Sequence, residues 1–277
     1  MKVLILGGSG FIGSAVCTEL QQRGAELSLL CRSPRSTMQA ENLGATVIRG
    51  DISAPMAWCK QLAQYDAVIH MACGFDHNMA EIDKNLIQAL ITGLSSKYRQ
   101  RSLLYTGGTW CYPNSPKAPL NEQTPFSPLP MFAWLQQHSQ HVCNSEAVRG
   151  ICLHPGIVTD DPDHIPELLK QEFASTGRVA MPCTNDLIWP LVDRQRLAKA
   201  YYLALDRAPA GEYYNVAEIE AQPVFELAKK LAQRHAVDTD IEIKTIDYWT
   251  QKYGAYCQGF ERSQNLSSAK IRDHLGW

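Results

Sequence analysis

The segment VLILGGSGFIG at residues 3–13 constrains the fold more than any other stretch of the chain. Residues 3–6 form an apolar run of strand length that leads straight into Gly7, Gly8, Ser9, Gly10, Phe11, Ile12 and Gly13. Residues 11–23 then carry helical apolar spacing and stop at Gly24. The glycines satisfy both G-x-x-G-x-x-G and G-x-G-x-x-G. After a strand and before a helix, the early glycines permit a tight turn and close backbone approach to a pyrophosphate. The last lets the helix pack on the strand, and the helix N-terminus faces the phosphates. Gly7, Ser9, Gly10, Phe11, Ile12 and Gly13 are therefore expected to hold a dinucleotide.

The same rhythm continues. Strand-like runs at 27–31, 47–49, 67–71, 102–106, 151–154 and 213–216 alternate with amphipathic segments, which predicts βαβ units and a doubly wound α/β parallel sheet. Ligands then belong at the carboxyl ends of the strands. Residues 111–130 hold six prolines and read as an extended surface loop. Residues 156–189 and 218–277 lack the alternation. We expect a dinucleotide-binding domain from 1–155 and 190–217, with a smaller substrate lobe from 156–189 and 218–277. Trp110, Phe173, Trp189, Tyr256 and Phe260 are candidates to line its pocket, although aromatics in such a lobe more often form core.

The end of the second strand indicates which dinucleotide. NAD recognition calls for a carboxylate about 20 residues past the glycines, to bind the ribose 2′-hydroxyl. Here the sequence is LSLLCRSPRS, with Arg32, Ser33 and Arg35 and no acid. A guanidinium suits a 2′-phosphate and gains nothing from a hydroxyl. The expectation is NADP rather than NAD.

Nine cysteines without a C-x-x-C pair, most of them inside apolar runs, fit a reducing cytosol. The apolar run before the first glycine is too short for a signal peptide or a membrane span. A cytoplasmic protein is expected. With a formal net charge of -2, electrostatics give no reason to expect nucleic acid or a membrane as partner, so the expected partner is a small-molecule substrate.

With these residues in hand, the chain resembles the extended short-chain dehydrogenase/reductase superfamily, in its NAD(P)-dependent epimerase/dehydratase-like group. GGSGFIG matches the glycine motif. Gly50-Asp51-Ile52 is similar to the segment that contacts adenine in the family. VIHMAC at 68–73 looks like the fourth strand, with Ala72 beside the adenosine ribose, and HPGIV at 154–158 looks like the segment whose backbone, at Pro155, Gly156 and Val158, lies along the nicotinamide. YTGGTW, WPLVD and the terminal LGW are similar to an atypical branch. The resemblance implies a seven-stranded Rossmann sheet with a small C-terminal substrate lobe, cofactor contacts from Asp51 and Ile52, and a possible homodimer. The segment IWPLVDRQRLAKAYYLAL looks like a later helix, for which Asp193 reads as the N-cap.

The resemblance also shows what is missing. Ordinary members use a Ser or Thr after the fifth strand and a Tyr-x-x-x-Lys on the next helix, in which lysine lowers the phenol pKa and serine fixes the carbonyl. The serine position falls at Gly108, with Thr109 beside it. The tyrosine position falls at Phe132 or Trp134, and the lysine position at Gln136 or His138. No Tyr-x-x-x-Lys occurs between 102 and 154. Trp134 and His138 stand one helical turn apart. The first could stack on a ring and the second could exchange a proton near neutral pH. Thr109 could offer a hydroxyl to a carbonyl. His138 and His141 form H-x-x-H with no evident third ligand, so no metal site is expected. Three functions stay open. One is an NADP-dependent oxidoreductase or epimerase/dehydratase-like enzyme lacking the usual Ser/Tyr/Lys set, and another is a non-catalytic NADP(H)-binding sensor or regulatory protein. The third keeps the pocket but uses NADP only as a scaffold for a non-redox isomerisation.

Overall fold

A computed structural model describes residues 1–74, 78–237 and 240–277. The alternation of the sequence becomes strands β1 (Lys2–Leu6), β2 (Glu26–Cys31), β3 (Thr46–Arg49), β4 (Ala67–His70) and β5 (Ser102–Thr106), with helices α1 (Phe11–Gln22), α2 (Pro34–Asn42) and α3 (Met79–Leu94) between them. Next come β6 (Ser115–Leu120), α4 (Ala133–Cys143), β7 (Arg149–Pro155), β8 (Ile157–Thr159), α5 (Glu167–Thr176), β9 (Ala180–Pro182), β10 (Ile188–Asp193), α6 (Arg194–Arg207) and β11 (Glu212–Val216). The chain ends through β12 (Ile219–Pro223), α7 (Val224–Arg234), β13 (Glu242–Lys244), α8 (Ile246–Tyr253), β14 (Gln264–Leu266) and α9 (Ala269–Leu275).

Seven strands form one parallel sheet in the order β11-β7-β5-β4-β1-β2-β3. Every strand run expected for this sheet is present. One face is covered by α1 and α6, whose Val16, Leu20, Leu197 and Tyr201 share a core with Val3, Ile5 and Leu29. The other carries α3 and α4, whose Leu86, Leu90, Leu135 and Val142 pack with Leu4, Leu6 and Val68. Burial on both faces explains why the strands read as unbroken apolar runs. Strand order reverses between β1 and β4, and the crevice at their carboxyl ends is where doubly wound sheets bind ligands.

A third apolar cluster gathers Leu168, Leu169, Met181, Trp189, Leu227, Leu231, Trp249 and Phe260 from α5, β9, β10, α7, α8 and the turn after it. It lies against the small sheet β12-β10-β8. The closing residues Ile271, Leu275 and Trp277, placed with the smaller lobe by the sequence reading, belong instead to the core beneath α1 and α6.

Two local expectations change. Residues 188–193, for which no strand was expected, form β10, while the helix starts at Arg194 as the cap reading of Asp193 implies. Asp193 is the cap, accepting from Gln195 N at 2.7 Å and Arg196 N at 3.1 Å. The proline-rich stretch is not purely surface loop. Tyr112 and Leu120 are buried, and Ser115–Leu120 pairs in parallel with β14, its prolines sitting at the edge of a two-stranded sheet.

Candidate functional site

The glycine turn closes the end of β1. Gly10 N donates to Gly7 O at 2.9 Å, and Gly7 adopts φ +82, the left-handed region open to glycine. A Cβ on Gly7 would lie 2.7 Å from Ala72 N, so β1 and β4 meet at the reversal point with no room between them. A Cβ on Gly13 would lie 2.1 Å from Gly7 O, which is why α1 can pack so tightly on the turn. Gly10 caps α1 with no side chain bonded to the first amides, leaving that N-terminus open. Ser9, Gly10 and Phe11 are exposed, while Ile12 is half-buried against the core.

The other expected cofactor residues lie at or past the carboxyl ends of β2, β3, β4 and β7. Arg32, just past β2, is 79% exposed along its side chain and lies 3.6 Å from Asp51. Arg35 is exposed in the first turn of α2, whose N-cap Ser33 is occupied in a capping box with Ser36. Asp51 accepts from Ser53 N at 2.9 Å, and its carboxyl is held below the usual range chiefly by that bond. Ile52 and Ala72 are half-buried. Pro155 ends β7, Gly156 is wedged against Pro190, and Val158 pairs with Val192, so this segment carries the chain from the main sheet to the small one. Arg194, not singled out from sequence, pairs with Asp160 at 2.7 Å and lies over the Phe11 ring at 5.0 Å.

These residues fit a dinucleotide. The turn has room for a close ligand only because its glycines carry no Cβ, the first helix has no side chain bonded to its first amides, and exposed guanidiniums stand just past β2.

On α4, Trp134 is half-buried, its ring 5.5 Å from that of His138. His138 Nδ1 lies 2.6 Å from Asp83 Oδ2, a carboxylate on α3 that also receives Tyr105 Oη at 2.8 Å and lies 2.6 Å from His70 Nε2. Asp83 is 1% exposed. Burial alone would raise its pKa. Its interaction with His70 and the bonds from His138 and Tyr105 outweigh that and hold it well below the carboxylate range. His138 Nε2 makes no bond among the described residues. Thr109 is buried and its hydroxyl donates to Gln264 Oε1 at 2.8 Å, so the short turn after β5 directs it into the protein. Trp110 packs on Phe132 and Phe260, and Trp189 and Phe260 are core.

Asp83 and His70 were not found from sequence, although α3 carried a signal. Met79, Asp83, Leu86, Ile87, Leu90, Ile91 and Leu94 share the buried stripe of that helix, and a lone carboxylate on an apolar stripe demands partners.

Residues 3–217 match the NAD dependent epimerase/dehydratase family. The chain belongs to that family. An uncharacterized protein of Schizosaccharomyces pombe is 26% identical over 100% of this chain and 94% of its own length. A 2-alkyl-3-oxoalkanoate reductase of Stenotrophomonas maltophilia is 25% identical over 93% of this chain and 82% of its own. Among solved structures, a dTDP-glucose 4,6-dehydratase of Streptomyces venezuelae with NAD bound superposes with TM-score 0.80 at 16% identity, covering 100% of this chain and 91% of that one. A UDP-glucose 4-epimerase of Thermotoga maritima gives TM-score 0.80 at 17% identity, with 100% and 93% covered. An epimerase/dehydratase-family chain thus has the Rossmann-type α/β fold of these solved relatives. Among its described residues no helix is long and apolar enough to cross a membrane.

Proposed function

We propose that this epimerase/dehydratase-family protein is an NADP-dependent oxidoreductase that adds or removes hydrogen across a carbonyl of a small molecule, with His138 in place of the family's tyrosine. The observation that carries the reading is the Nε2 of His138, which has no bond among the described residues and lies on the helix where the family keeps its acid–base pair. Reduction gives the carbonyl carbon a hydride and the oxygen a proton. The hydride is the chemistry NADPH supplies when bound at the glycine turn. His138 supplies the proton from Nε2 and is left neutral; in the oxidising direction the same nitrogen takes the proton up. Trp134 offers a flat apolar wall beside that imidazole. Thr109, whose hydroxyl is engaged with Gln264, would have to leave that bond before it could hold a carbonyl, so the proton is assigned to His138 alone.

Arg32 and Arg35 support NADP over NAD. The contact from Arg32 to Asp51 is long and solvent-exposed, so it is a weak competitor for a phosphate dianion. The relative named as a 2-alkyl-3-oxoalkanoate reductase supports a carbonyl substrate. A second reading, an NADP(H) sensor without turnover, is favoured by the lack of any Tyr-x-x-x-Lys between residues 102 and 154.

NADPH fluorescence titration followed by a carbonyl screen with wild type and His138→Ala separates the two. The enzyme reading expects turnover that falls at least about 100-fold in the variant, the usual scale of a lost general acid. Tight NADPH binding with no turnover in any assay supports the sensor. Turnover that survives His138→Ala removes the proton assignment.

A further inference from the structure

We infer that Asp83 is a positioning residue that fixes which nitrogen of His138 faces the substrate, keeping Nδ1 as a permanent donor and leaving Nε2 as the atom that exchanges the proton. The inference deepens the proposed function and rests on its assignment of His138.

Asp83 has two oxygens and three neighbours. Oδ1 meets His70 Nε2 at 2.6 Å, while Oδ2 meets both His138 Nδ1 at 2.6 Å and Tyr105 Oη at 2.8 Å. An ionised carboxylate can only accept, so all three neighbours must present a hydrogen to it. The ionisation of Asp83 is secured by these same donors, as described above. Tyr105 stays a phenol, because burial and the Asp83 charge push its ionisation well up. His138 must then carry hydrogen on Nδ1 in both its neutral and charged forms. Its neutral form has the lone pair on Nε2, ready to accept, and its charged form has a transferable proton there.

The two imidazoles on this carboxylate differ in a way that assigns their roles. His70 Nδ1 is sealed in the interior without a partner among the described residues, as an acceptor nitrogen in a structural histidine can be. His138 Nε2 has no partner among the described residues and is not sealed. The four groups come from four elements, α3, β4, β5 and α4, and the His138 imidazole joins them through Nδ1, so it cannot turn over without breaking that bond. Among the described residues, the other titratable groups that act on Tyr105 are thiols. Cys152 of β7, which acts on Tyr105, and Cys143 beside it are both kept protonated by burial. Cys73, beyond the end of β4, acts on Tyr105 from the exposed side. Among the described residues, Asp83 is the carboxylate paired with His138.

Two measurements test this. Nitrogen-15 NMR of the wild-type protein, with His138→Gln to assign the signals, reads the tautomer directly. The expected neutral form has hydrogen on Nδ1, and hydrogen on Nε2 overturns the inference. The second is the pH–rate profile of carbonyl reduction in Asp83→Asn, a near-isosteric change that removes the charge beside the imidazolium. The falling limb is expected to move to lower pH by about one to two units, the usual effect of losing an adjacent opposite charge. The NADPH Kd should stay within about threefold. An unmoved limb in a folded, cofactor-binding variant overturns the inference. If Asp83→Asn does not fold, the wild-type tautomer decides alone. Turnover that persists in His138→Ala defeats the proposed function but leaves the NMR result on Asp83 standing, so the two failures are distinguishable.

Discussion

Replacing Gly13 by alanine tests the cofactor turn on its geometry alone. The added Cβ would sit 2.1 Å from Gly7 O and 2.8 Å from Gly7 C and Gly8 Cα, while real Cβ contacts essentially never fall under 3.0 Å. Relief requires the turn and α1 to separate by on the order of 1 Å, an overpacking strain. The turn cannot retreat, because Gly7 is backed by Met71 and Ala72 and Gly8 by Leu29. The helix must move, although Val16, Cys17 and Leu20 pin it in the core it shares with α6. Overpacking of this kind costs about 1–3 kcal/mol. At roughly 2–4 °C per kcal/mol for a domain of this size, Tm should fall by about 2–12 °C. Moving the N-terminus of α1 also lengthens its amide contacts to a phosphate. One lost charge-assisted hydrogen bond, worth about 1.5–3 kcal/mol, raises the NADPH Kd by about 10- to 150-fold. Differential scanning fluorimetry and NADPH titration read both effects. Gly10→Ala, whose Cβ would lie 3.1 Å from Gly7 O, should be milder in each. Gly13→Ala with Kd within threefold of wild type and an unchanged Tm, or a Gly10 variant worse than the Gly13 one, would refute the reasoning.

Arg32→Asp is expected to weaken NADPH by about tenfold or more and NADH by little, the difference being read from paired titrations; equal losses would remove the 2′-phosphate argument. Stability should respond to acid in two stages. Burial pushes His154 down to about 4, so the unfolded chain gains a proton near pH 6.5 that the folded one refuses, and stability starts to fall below that pH. Asp161 is held below the ordinary range by bonds from Arg234. Glu172 is held below it by Lys252, Tyr248 and Tyr253 in spite of burial. Both stabilise fully above about pH 5 and lose that contribution as pH drops further. A Tm that stays constant from pH 7 to 5 would contradict the first stage.

The parallel sheet was legible because strands buried on both faces must be apolar throughout, and the glycine turn because a side chain would collide there. The capping role of Asp193 was legible for the same local reason. Residues 188–193 were not, since IWPLVD has no alternation, and its pairing partners Ile157–Thr159 and Ile219–Pro223 lie far away in sequence. The edge strand within the proline-rich stretch was hidden by residue types that ordinarily exclude strands. On α4, spacing located Trp134 and His138, but nothing local disclosed that His138 leans on Asp83, 55 residues earlier. Thr109 shows the converse: its place after β5 suggested a substrate contact, and Gln264, 155 residues later, holds its hydroxyl.

The passage from β7 through Gly156 to β8 bears on how this scaffold can be recombined. A Cβ on Gly156 would lie 2.6 Å from Pro190 O of β10, so two segments that enter the small sheet are locked together where one of them leaves the large sheet. The region over the strand ends is woven in by β8, β10 and β12 and tied back by α9, so it is not a cassette that one cut releases. Lobe-swap chimeras with a relative would need junctions at each crossing, and a graft that broke the Gly156–Pro190 contact would disturb the backbone at Pro155 and Val158 together with the small sheet. Selectivity in this scaffold is better altered by side chains than by exchanging segments.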